Sequence, residues 1–169
     1  IVSAATAPGF LTGQRASTPA AKTNRFAYRL SNTPKTVGQL LRDDHAILLE
    51  NALIDTSSPL GFAIPQHLRA AAEPGSYIVQ ARGPVDDAFR SAIAAAGGTI
   101  VSYIPNNAYL VRLSAEGASQ LAAGRLAPPV LPYEPVYKFK SDLLGLAMEQ
   151  QPLPPNATLN VMVFADLRE

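Results

Sequence analysis

The stretch TIVSYIPNNAYLVRL, residues 99–113, constrains this chain more than any other. It reads as two apolar strands around a Pro105-Asn106-Asn107 turn, where Asn tolerates positive φ and Pro fixes its own φ. What flanks it decides the fold. Upstream, SYIVQA (76–81) is a strand with Tyr77, Val79 and Ala81 on one face and Ile78, Gln80 and Arg82 on the other. Pro84 suits the first position of a following helix, whose Val85, Ala88, Phe89, Ala92, Ile93 and Ala96 form one apolar stripe. Gly97-Gly98 supplies the left-handed cap that ends it. Downstream of the hairpin, Ser114 caps a second helix, AEGASQLAAG, with Ala118, Leu121 and Ala122 facing inward and Gly124 as its stop. APPVLPYEPVY then gives a last strand, held at a sheet edge by its prolines. The order β-α-β-β-α-β predicts an α+β, ferredoxin-like antiparallel sheet with two helices on one face.

The flanks are organised differently. Residues 1–25 are rich in Ala, Thr, Ser, Pro and Gly, and bury too little apolar area to offset chain entropy, which predicts a flexible arm. Residues 26–74 form an extension with short helices. One runs over 36–42 with Thr36 as its N-cap, and another over QHLRAA. AILLENALIDT (46–56) reads equally as strand or buried helical turn. The predicted core domain occupies 75–139. A Pro-rich linker follows over 140–158, opening on a short helical patch. LNVMVFA, within 159–169, has the near-continuous apolar character of a strand buried on both faces. It predicts the first strand of a second unit, paired with polypeptide outside this chain.

Composition excludes several function classes. With 47% hydrophobic residues in 169 there is material for a real core, and a net charge of +1 gives no field to gather nucleic acid or an acidic membrane. Cysteine is absent, which removes disulfides, thiolate nucleophiles and most structural zinc schemes. No apolar run approaches a membrane span. IVSAATAPGF lacks the basic and apolar regions of a signal peptide, and Ile1 reads as the start of a trimmed product.

Candidate chemistry is sparse. Asp43-Asp44-His45 reads as a solvated or capping turn rather than a metal or acid–base cluster, and His67 as a structural histidine. IDTSSP (54–59) has the Asp-Thr of a serine-protease aspartate motif, but Ser57 stands third and no His or Ser motif of a triad follows, so Asp55 reads as a turn or cap residue. Gly97-Gly98 follows a helix and presents no N-terminal amides to a phosphate. Asn156-Ala157-Thr158 matches a glycosylation sequon by pattern. Tyr77 and Tyr109 share faces with apolar neighbours and point inward, unlike the stacking aromatics of an RNA-binding sheet. The other face, Ile78, Gln80, Arg82, Leu110 and Arg112, has the apolar centre and polar rim of a protein-docking surface. These residues predict no catalytic, cofactor or metal site in this chain.

GSYIVQ (75–80), SYIPNNAYLVRL (102–113) and LPYEPVYK (131–138), together with YRLSNT (28–33) and AILLENALIDT, carry a resemblance. The chain resembles the inhibitor-type propeptide of secreted subtilisin-like serine proteases, and in more detail the long N-terminal pro-regions of large bacterial subtilases, over residues 26–164. The resemblance implies an intramolecular chaperone and inhibitor, secreted or located in the periplasm or cell envelope. Its partner would be the subtilisin-like catalytic domain or the remainder of the same precursor, where the catalytic Asp, His and Ser would lie. It implies no nucleic acid, no membrane and no cofactor. Carried over, the docking face would be Ile78, Gln80, Arg82, Leu110 and Arg112. The tail in the substrate cleft would be Tyr133, Glu134, Pro135, Val136 and Tyr137, and Glu169 would be a processing end. The chain departs from the simpler pattern by continuing some thirty residues past its last core strand. The alternative is a non-catalytic ferredoxin-like regulatory or interaction module, which should end after that strand.

Overall fold

The computed structural model describes residues 26–164. The arm expected over 1–25 and the processing end at Glu169 lie outside the described residues. In chain order the elements are β1 (Leu30–Ser31), α1 (Val37–Leu40), β2 (Ala46–Leu48), β3 (Ala52–Asp55), a 3₁₀ turn (Gln66–Leu68), β4 (Ser76–Gln80), α2 (Asp87–Ala95), β5 (Thr99–Ile104), β6 (Ala108–Arg112), α3 (Ala115–Ala123), β7 (Val130–Pro132), a second 3₁₀ turn (Pro135–Lys138) and α4 (Ser141–Met148).

The fold is α+β. β4 to β7 form one sheet in the order β5-β6-β4-β7, with every neighbouring pair antiparallel. The hairpin β5–β6 forms where the sequence predicts it, with Asn107 at φ 55 in its turn and a bulge at Val101. α2 and α3 cover one face, where Tyr77, Val79, Phe89, Ile93, Val111 and Leu121 make a closed core. The Phe89 and Tyr109 rings stack at 6.0 Å within it.

Local chemistry explains the helix ends. Thr36 makes a capping box with Gln39 at the start of α1. The Gly97 and Gly98 amides bond back to Ala94 and Ile93, closing α2 in a Schellman motif with Gly97 at φ 76. Ser114 Oγ accepts from the Gly117 amide to cap α3. Two expectations need correction. Pro84 is not the first residue of α2, because the Asp86 carboxylate accepts the Phe89 amide at 2.8 Å and starts the helix there. Ala88 and Ala122 are exposed, and Gly117 lies on the buried side of α3 instead.

AILLENALIDT resolves into the strands β2 and β3 around a tight turn, paired antiparallel from Ala46–Asp55 to Leu48–Leu53. β1 adds in parallel to β3, giving a second sheet in the order β1-β3-β2. This sheet does not stand apart as an extension. Ile47 and Ile54 pack with Ile78, Ile104, Leu110 and Val136 in a second core, on the side of the large sheet opposite the helices. The expected linker 140–158 also needs correction in its first part, since α4 packs Leu144 into this same core. Glu50 fixes that helix by accepting from both the backbone amide (2.9 Å) and the hydroxyl (2.5 Å) of Ser141 at its N-terminus. Residues 159–164 form no strand within the chain and are exposed.

Candidate interaction surface

The sequence predicts an open sheet face of Ile78, Gln80, Arg82, Leu110 and Arg112. The structure closes its centre. Ile78 is 0% exposed, Gln80 1% and Leu110 6%, all covered by the small sheet and the segments around Val136 and Leu144. Only Arg82 and Arg112 of the five are exposed. Arg82 reaches across to the Ala127 carbonyl with both Nε and Nη2.

Gln80 is the centre of the junction between the two sheets. Its amide donates to the Ala46 carbonyl at 3.0 Å and to the Asn106 carbonyl at 3.1 Å, and its oxygen accepts from the Thr56 hydroxyl at 2.6 Å. The hairpin turn completes the lock. Leu48 N donates to the Pro105 carbonyl, Asn106 N donates to the Ala46 carbonyl, and Asn106 Nδ2 donates to the Leu40 and Asp43 carbonyls. The Pro-Asn-Asn turn therefore both reverses the chain and seals the free edge of β2. A buried amide this well satisfied holds two layers in one register.

Beside the junction lies a charged cluster. Lys35 Nζ bridges Asp43 at 2.6 Å and Asp55 at 2.7 Å, and the Ser57 hydroxyl donates to Asp55 at 2.5 Å. Burial alone would push the Asp55 carboxyl up, but the Lys35 and Ser57 hydrogen bonds outweigh it and hold it at about 2. Such a carboxylate is too weak a base to activate Ser57. Hydrogen bonds to Asp43 and Asp55 push the Lys35 ammonium up, so it stays charged and is no base either. The cluster is a clasp. Asp43 also accepts the His45 amide, forming the capping turn read from the sequence. His67 bonds through Nε2 to the Ala147 carbonyl and ties its 3₁₀ turn to α4. Among the described residues no group of three or more His, Asp or Glu is placed to hold a metal, and no helix is long and apolar enough to cross a membrane.

The expected cleft tail, Tyr133 to Tyr137, is also corrected. Val136 and Tyr137 are buried, Tyr133 is half-buried, and Pro135 opens a 3₁₀ turn. Glu134 accepts the Ala70 amide. Apolar side chains on this segment gain more by entering the second core than by extending into solvent. It is a structural wall, and it borders a cavity of about 260 Å³ shared with Ile54, Phe62, Leu131 and Arg69.

Two apolar surfaces are exposed, and the sequence singles out only the second, as a strand that needs a partner. β5 is an edge strand whose Ile100, Val101 and Tyr103 are exposed. Residues 159–164 expose an apolar run, with Val161 78%, Met162 98% and Val163 79% accessible. The signal for the second was the uncharged run LNVMVF itself.

The family described as "Domain of unknown function (DUF8729)" matches residues 41–134, from the end of α1 to just past β7. The matched stretch thus includes β2 and β3 together with the whole large sheet. No curated protein and no solved structure matches the chain.

Proposed function

This chain belongs to the DUF8729 family, and we propose that it is the non-catalytic pro-region of a secreted subtilisin-like serine protease, templating the catalytic domain's folding and inhibiting it. The observation that carries this reading is the strand order β5-β6-β4-β7 with both helices on one face. Numbered within the motif, that order is second-third-first-fourth, which supports a ferredoxin-like sheet of the kind the resemblance implies. A rigid body of this type is preorganised for a partner, so little ordering entropy opposes binding. With Ile78, Gln80 and Leu110 enclosed, contact with a catalytic domain falls on the rim, where Arg82 and Arg112 remain exposed.

The test is inhibition by the added chain of the catalytic domain from the same precursor. Competitive inhibition, weakened by Arg82→Glu with Arg112→Glu in a variant that remains folded by circular dichroism, is the expected result. No inhibition by the wild-type chain contradicts the reading.

The burial of Ile78 and Leu110 favours a second reading, a regulatory or protein-interaction module. A sheet already covered by its own chain has no open face for a catalytic domain's helices. Such a module would leave protease activity untouched in the same assay.

A further inference from the structure

We propose that residues 159–164 of one copy add as an extra strand to the β5 edge of a second copy, reciprocally, so that the isolated chain is a strand-exchanged dimer. The inference does not depend on the pro-region reading.

Sheet edges are ordinarily blunted by charge, proline or cover. The other edges here are. β7 ends in Pro132 and follows Pro128-Pro129, β2 is sealed by the Pro105–Asn106 turn, and β1 is two residues long before Pro34. Among the described residues, β5 has none of these devices over its six residues apart from the bulge at Val101. TIVSYI carries no charge and no proline, and among the described residues its one strand partner is β6.

The occupant is argued from the same page. LNVMVF is also six residues, uncharged, free of proline and rich in residues that favour strands. Either segment spans about 20 Å as a strand. Val161, Met162 and Val163 are almost wholly in water, a state that pairing would relieve. Residues 151–158 are exposed and carry no helix or strand, which gives the segment about 27 Å of reach away from α4. With a net charge of +1, two copies approach without appreciable repulsion. Reciprocal exchange closes the assembly at two copies and consumes both open edges.

The test uses the full chain, whose lack of cysteine lets single cysteines report pairing cleanly. Sedimentation across a concentration series should give twice the 17.9 kDa chain mass. Val161→Pro with Val163→Pro, at positions 78% and 79% exposed, should return the monomer, as should Val101→Lys on the edge. Mixed Ser102→Cys and Met162→Cys chains should form a disulfide between copies under mild oxidation. A monomer at every concentration overturns the proposal. So does a dimer that survives the proline pair, or a double-cysteine chain that crosslinks within a monomer.

Discussion

Gln80 donates its side-chain amide to the Asn106 carbonyl at 3.1 Å, joining the first strand of the large sheet to the turn of its hairpin beneath a second sheet. The same amide holds Ala46 of β2 at 3.0 Å. Together with the Asn106 turn, this side chain fixes how the N-terminal segments sit on the core.

Gln80→Leu keeps the volume and removes all three hydrogen bonds. Leaving buried polar partners unsatisfied costs about 1–3 kcal/mol. Urea denaturation should show that loss. Hydrogen exchange should show it first in β2 and β3, ahead of α2 and α3. Uniform loss across both cores would mean that the junction is not where the layers are joined.

Gly117 marks a close approach of α3 to the end of α2. A Cβ there would meet the Ala96 carbonyl and come within 2.7 Å of Leu113 Cδ1. Gly117→Ala should therefore destabilise by about 1–3 kcal/mol, the usual cost of overpacking. Gly38→Ala, in α1 with open space around it, should stabilise by about 0.4–1 kcal/mol. Paired thermal melts check both signs.

Phe89 is buried against Tyr109 in the helix-side core. Phe89→Ala should cost about 3–5 kcal/mol. A melt that barely moves would contradict the packing of α2 described above.

Acid should loosen the protein through two carboxylates. The Ser141 hydroxyl and amide hold Glu50 down to about 2 from 4.5, and Asp55 is held at about 2 from 3.8 with burial opposing and Lys35 and Ser57 prevailing. Folded values below unfolded ones mean the stability is present above pH 4.5 and is lost as pH falls toward 2. Melting temperature should fall over that window, and Glu50→Gln should show a shallower fall from a lower starting point. An identical slope in the variant would sink the assignment.

What the sequence revealed was local. Thr36, Ser114 and Gly97 carry their caps in their own side chains or backbone freedom, and the hairpin turn announces itself in Pro105-Asn106-Asn107. What it concealed was the cover over the second face. β1 meets β3 through only two residue pairs, Leu30–Ala52 and Ser31–Leu53, too little to leave a pattern. Gln80 looked like a surface residue because its three partners come from distant segments. A signal was present in β4 itself: Tyr77 and Val79 on one parity with Ile78 on the other is the pattern of a strand buried on both faces. Tyr133 to Tyr137 misled for a related reason, since a Pro-interrupted apolar run suits a core wall as well as an extended tail.

The most direct measurement is native mass spectrometry on the product of the complete gene, purified without denaturation. The pro-region account expects this chain held non-covalently on a larger fragment that bears a serine-protease domain. Recovery of the chain free of any such fragment, while the protease fragment is present and active, would contradict it.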